Sequence, residues 1–105
     1  MRSRPVAPAR FEAVLFRRDH LADVVIYTKP GCGYCHAAKG LLDQKGVDFT
    51  EIVASSDPAL KQEMIQKSGG RMTFPQIFIG GQHVGGSDEL HALDRRGDLN
   101  PMLEA

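Results

Sequence analysis

A strand, a helix and a second strand within about thirty residues leave a chain little choice of topology. Val24, Val25, Ile26 and Tyr27 form a short β-branched and aromatic run that ends at Lys29, Pro30 and Gly31, the pattern of a buried strand closed by a turn. Ala37, Ala38, Leu41 and Leu42 then recur at helical spacing, with Lys39 and Asp43 on the other face and Gly46 as a C-terminal stop. Residues 47–53 alternate as a second strand. A connection that contains a helix cannot be a hairpin, so the two strands run parallel with a right-handed crossover.

The remainder changes register. Asp57 and Pro58 open a second helix as N-cap and first helical residue; it runs through Leu60, Met64 and Ile65 to Ser68, where Gly69 and Gly70 end it. Gln76, Ile77, Phe78 and Ile79 read as a strand, Gly80 and Gly81 as a two-residue turn, and residues 82–84 as the returning strand of a hairpin. After Gly85 and Gly86, Ser87 is expected to cap a third helix with Leu90 and Leu93 inward and residues 94–96 outward. The expectation is an α/β fold, a four-stranded mixed sheet flanked by three helices.

At 105 residues the chain has room for one core, not two. Residues 1–22 differ in composition: they hold Pro5, Pro8 and five arginines against Glu12 and Asp19, with space for two helical turns over 11–18. They read as a flexible N-terminal extension to a domain spanning 23–105. The two acids argue against a mitochondrial presequence, and the absence of a continuous apolar stretch argues against a secretory signal. The cytoplasm is the expected setting, with the mitochondrial matrix as the alternative. Thirteen basic and thirteen acidic side chains balance overall, so the basic extension leaves a mildly acidic body. Such a body lacks the basic stripe that a phosphate backbone requires, and no nucleic acid partner is expected. No apolar run approaches about 18 residues, so no membrane partner is expected either.

The two cysteines, Cys32 and Cys35, stand three apart. A secreted disulfide framework in so short a chain would show more, spread more widely, so this pair reads as chemical. Cys32-Gly33-Tyr34-Cys35 falls where the first strand passes into the first helix, the carboxyl end of a parallel strand, where open α/β sheets place their sites. Unsatisfied N–H groups, the positive end of the helix dipole and nearby Lys29 all favour thiolate at Cys32. An unperturbed thiol is only about 3% ionised at pH 7, and such surroundings can bring its pKa to about 3.5–7.5. Because nucleophilicity falls with pKa, ionisation helps Cys32 less as attacker than as leaving group. Cys35, one turn on, is placed to resolve a mixed disulfide on Cys32. A zinc site would need two further ligands, and His36, His83 and His91 are not paired at a zinc spacing. The run through His36 also matches a c-type haem attachment pattern, with Met72 or Met102 as axial ligand. Proteins of that kind are mainly helical, whereas here a strand leads into the motif.

These residues resemble the glutaredoxins, in their bacterial dithiol form, over residues 23–103. Three motifs carry the resemblance in order: Tyr27-Thr28-Lys29-Pro30-Gly31-Cys32-Gly33-Tyr34-Cys35, Thr73-Phe74-Pro75-Gln76-Ile77-Phe78-Ile79 and Gly85-Gly86-Ser87-Asp88. The resemblance implies a thioredoxin-like fold and a glutathione-dependent thiol–disulfide oxidoreductase, with Cys32 attacking and Cys35 resolving. Glutathione would be the co-substrate, and disulfide or glutathionylated proteins the other partners. It further implies that Thr73, Phe74 and a cis Pro75 present backbone to the glutathione peptide. Gly86, Ser87 and Asp88 would take its γ-glutamyl end, Lys29 and Lys61 its glycine carboxylate, and Tyr34 would lie against the bound sulfur. Many dithiol members carry proline where this chain has Gly33. Members with a small residue there resemble those that hold a [2Fe-2S] cluster between two protomers, with Cys32 as the only protein ligand from each. The expected state is therefore a monomer, or in the alternative a cluster-bridged homodimer.

Overall fold

Alternation along β1 decides how the layers form. The computed structural model describes residues 21–105, and within it β1 spans Val24–Thr28, α1 Gly33–Gln44, β2 Thr50–Val53, α2 Pro58–Lys67, β3 Gln76–Ile79, β4 Gln82–Gly85, α3 Ser87–Arg96 and α4 Leu99–Glu104. The strands lie in the order β2-β1-β3-β4. β1 pairs parallel with β2, aligning Thr28 with Val53, and antiparallel with β3, aligning Tyr27 with Gln76; β4 returns antiparallel beside β3. Successive strand residues face opposite sides, so Val24, Ile26, Ile77 and Ile79 join Ala38, Leu41 and Leu42 of α1, Leu90 of α3 and Leu99 and Leu103 of α4 in one core. Tyr27 and Phe78 face the other way and pack with Ala54 and Met64, the latter from α2. The Tyr27 hydroxyl donates to Glu63 Oε2, and burial together with that carboxylate pushes its pKa up to about 12.

The mixed sheet and its flanking helices follow the sequence reading, with three local differences. β2 begins at Thr50 rather than at 47; Val47 is buried but outside the ladder, because its job is to plug the core below α1. The cap of α3 is Gly86, with Ser87 as the first helical residue. A fourth helix, α4, closes the chain beyond the three expected. It has only six residues, and Pro101 lies in its first turn, where a missing N–H costs little. Its Leu99 and Leu103 are fully or almost fully buried. The N–H of Ala22 donates to the Leu103 carbonyl at 2.8 Å, tying the start of the domain to its end. The extension expected over residues 1–22, including the helical turns over 11–18, lies outside the described residues except for Leu21 and Ala22, which pack against the core. Among the described residues no helix is long and apolar enough to cross a membrane.

Candidate active site

The end of β1 and the start of α1 set the positions of both thiols. Gly31 turns the chain with φ +68°, a conformation that a side chain resists, and Cys32 follows as the N-cap of α1 in extended geometry. Its sulfur accepts the Cys35 N–H at 3.1 Å, which satisfies one of the orphan donors of the first turn. Cys32 is partly exposed and Cys35 buried, both as free thiols. Cys35 is 2% exposed, and burial, followed by its hydrogen bond with Cys32, pushes its pKa up to about 11. The two sulfurs are thus chemically unlike: one meets solvent, and the other is withheld from it.

Across from Cys32 lies the segment before β3. Cys32 Sγ is 4.0 Å from the Phe74 carbonyl oxygen, and the Phe74–Pro75 peptide is cis, as the resemblance implied. Lys29 Nζ stands 5.9 Å from the centre of the Phe74 ring, within cation–π range. A fully buried amide holds this segment from below. Gln76 Nε2 donates to the Thr73 carbonyl at 3.0 Å and to its hydroxyl at 3.1 Å. That leaves Gln76 Oε1 to accept from His83 Nε2 at 2.7 Å, so the proton lies on Nε2. Burial, reinforced by the Arg71 charge, holds His83 below the usual imidazole value.

The third motif completes the wall. Gly85 has φ +119°, and a Cβ there would stand 2.8 Å from Glu89 Oε1, so only glycine admits the Glu89 carboxylate so close. That oxygen accepts the Gly86 N–H at 2.6 Å, which holds Glu89 below the usual carboxylate value despite partial desolvation. Between these walls runs a cleft of about 160 Å³, lined by Tyr34, Thr73, Phe74, Pro75, Gly86, Ser87 and Asp88, with Arg71 and Glu89 beside them. Seven residues singled out from the sequence therefore meet in one cleft. Lys29 adjoins it through Phe74, and Lys61, on α2, does not line it. The sequence reading passed over Arg71, Gln76 and Glu89. Glu89 was detectable as the glutamate three residues after a helix cap; a polar residue in the middle of an apolar strand motif was the only signal for Gln76.

Among the described residues no three His, Cys, Asp or Glu side chains converge on a point that could hold a metal ion. With Cys35 buried, the accessible thiol available to a metal is Cys32.

A thiol pair opening the helix after β1, set against a cis-proline and carried on strands ordered β2-β1-β3-β4, defines a thioredoxin-like protein with thiol–disulfide chemistry. Within that class the chain belongs to the glutaredoxin family. The glutaredoxin family model matches residues 24–84. Glutaredoxin 3 of Escherichia coli K12 is 55% identical over 84 residues, covering 80% of this chain and all of the relative. The solution structure of the Brucella melitensis glutaredoxin, also 55% identical, superposes with a TM-score of 0.71 over 81% of this chain and 91% of that one. A buckwheat glutaredoxin–glutathione complex superposes with a TM-score of 0.70 at 34% identity over 94% of each chain. A glutaredoxin solved in connection with metal binding of glutaredoxins does so with a TM-score of 0.64 at 56% identity, over 82% of this chain and 92% of that one. The chain is accordingly a thiol–disulfide oxidoreductase.

Proposed function

We propose that this oxidoreductase uses glutathione to reduce glutathionyl mixed disulfides and protein disulfides, with Cys32 as nucleophile and Cys35 as resolving thiol. The observation that carries the reading is a cleft that offers a peptide backbone edge and a helix N-terminus, with the Cys32 sulfur 4.0 Å from the carbonyl of its lining residue Phe74. The Cys32 thiolate attacks the glutathionyl sulfur of a modified protein; the protein thiolate leaves with the electron pair and takes a proton from water. A second glutathione thiolate then attacks the glutathionyl sulfur, releasing oxidised glutathione and the Cys32 thiolate. In dithiol turnover Cys35 attacks Cys32 instead and expels the reduced protein, leaving a disulfide that two glutathiones reduce. Recognition falls to the backbone of Thr73, Phe74 and Pro75 for the peptide, to Asp88 for the γ-glutamyl ammonium, and to the N–H groups at Gly86 and Ser87 for its carboxylate. Lys29 and Lys61 serve the glycine carboxylate, and Tyr34, 67% exposed, folds over the sulfur. This chemistry requires a compartment kept reduced by glutathione, and the cytoplasm is the one we assign.

The test compares single cysteine variants with a glutathionylated peptide. Cys32→Ser should abolish deglutathionylation, and Cys35→Ser should keep most of it, because glutathione can discharge the adduct on Cys32 without Cys35. Equal loss in both variants would sink this route.

A second reading has its own support, since a relative 56% identical was solved in connection with metal binding. A single chain with one accessible thiol cannot complete a cluster. The donor set fits a [2Fe-2S] group only as half a site, with Cys32 and a glutathione thiol from each of two protomers. When bound, such a group would supply a releasable iron–sulfur unit.

A further inference from the structure

The resolving thiol poses a problem that the cleft does not solve. Burial opposes ionisation of Cys35, and that cost remains when Cys32 carries a mixed disulfide, yet dithiol turnover requires Cys35 as thiolate. The groups that act on it can be named. Cys32 at the N-cap opposes its ionisation, while the backbone N–H of Lys29, from the loop after β1, and the ammonium of Lys39 favour it. Lys39 lies four residues beyond Cys35, on the same side of α1.

The sequence pattern put Lys39 on the outer face of α1, but the structure draws it inward to β2. Lys39 Nζ is 3.0 Å from Glu51 Oε2, and the same oxygen accepts the hydroxyl of Thr28 at 2.7 Å. Thr28 is the last residue of β1 and is buried, so its hydroxyl has a fixed position. Glu51 is thereby pinned beside the end of β1, and it pins Lys39 in turn. The two charged side chains keep only 30% and 32% exposure, and Glu51 lies below the usual carboxylate value through the Thr28 hydroxyl first and Lys39 second. A solvated pair would need no buried hydroxyl to orient it.

We propose that Thr28, Glu51 and Lys39 form a positioning network that holds a cation one helical turn beyond Cys35 and so serves the resolving step of dithiol turnover. This rests on the site reading given above and adds a residue to it. Lys39 touches no substrate. Its charge supports the thiolate that forms when Cys35 passes its proton to water and attacks the Cys32 sulfur of a mixed disulfide, while the departing thiolate carries off the electron pair.

Single-turnover reaction with the aromatic disulfide dithiobis(nitrobenzoate) separates the two steps. Attack by Cys32 releases one coloured thiolate and leaves the other aryl group on Cys32; attack by Cys35 releases the second and closes the Cys32–Cys35 disulfide. The readout is the rate of the second release relative to the first. Each tenfold loss of thiolate is offset by about threefold in intrinsic nucleophilicity, so Lys39→Met should lower that ratio at neutral pH, by up to about threefold. Lys39→Arg should restore it, and salt near 1 M should bring wild type and Lys39→Met together, because the pair is partly exposed to ions. A ratio unchanged in Lys39→Met, or lowered equally in Lys39→Arg, overturns the proposal and leaves the assignment of the cysteines standing. A second release that persists in Cys35→Ser overturns the cysteine assignment and this proposal with it.

Discussion

Asp88 is exposed at the rim of the cleft, and its exposure sets the size of what it can contribute. A charge-assisted contact in a dry site is worth about 1.5–3 kcal/mol, whereas an exposed ion pair contributes about 1 kcal/mol or less. Asp88→Ala should therefore raise the KM for glutathione by no more than about fivefold and leave kcat nearly unchanged, since it removes binding shared by ground and transition states. Steady-state kinetics over a range of glutathione concentrations decide the matter; unchanged glutathione kinetics would remove Asp88 from the ammonium site. Cys32 and Cys35 show the same rule from the opposite side. Identical side chains three residues apart differ in environment because one caps a helix partly in solvent and the other is packed beneath it.

At the scale of elements, the N-terminus of α3 depends on a carboxylate rather than on the serine that the motif suggests. Glu89 accepts the Gly86 N–H, Arg71 Nη2 stands 3.8 Å away, and Gly85 leaves the space that this requires. The folded pKa of Glu89 lies below its ordinary value of 4.5. The sign follows: its contribution to stability is fully present above the unfolded value and is lost as pH falls through the lower folded one. Glu89→Gln keeps an acceptor and removes the charge. Urea unfolding should show the variant less stable than wild type at pH 7, with the gap closing toward pH 3, and a gap independent of pH would show that charge is not what holds this cap. The side chain is half exposed, so the gap should be small.

For the whole molecule, the three layers hold two distant segments together. Pairing of β1 with β3 brings residues 32 and 74 within contact, and α4 closes the far end of the core through Leu99 and Leu103. The cluster reading belongs at this scale, because it needs two molecules. At Gly33 an added Cβ would meet nothing within 4 Å, and its N–H, at the first helical position, lacks an intrahelical acceptor, so Gly33→Pro removes no helical hydrogen bond. Anaerobic reconstitution with iron, sulfide and glutathione should give wild type a visible absorbance and a dimer on gel filtration. Gly33→Pro should stay a colourless, active monomer, because the stiffened first turn restricts the approach of Cys32 to iron. A colourless wild type would end the reading; equal cluster formation in both proteins would end the explanation through Gly33.

The elements and the thiol pair were legible because they are local. Spacing of apolar residues, Asp57-Pro58 at a helix start and glycine pairs at turns act within a few residues. They fixed the parallel β1–β2 crossover and put Cys32 at a helix N-terminus before any packing was known. The family motifs, read in order, gathered seven of the cleft residues. What stayed hidden depends on partners far along the chain. Leu99–Glu104 has too few residues to declare a helix and becomes one by burying two leucines against a core built elsewhere. Gln76 is polar in an apolar motif until His83 and Thr73 satisfy its amide, and Lys39 reads as an outward lysine until a carboxylate on another strand turns it inward. Sequence by itself determined the four strands, the first three helices and where the thiols sit, since backbone geometry and side-chain periodicity are short-range. The tertiary structure alone decided which thiol is buried and which charges face it, because desolvation and ion pairing depend on neighbours that only the fold brings together.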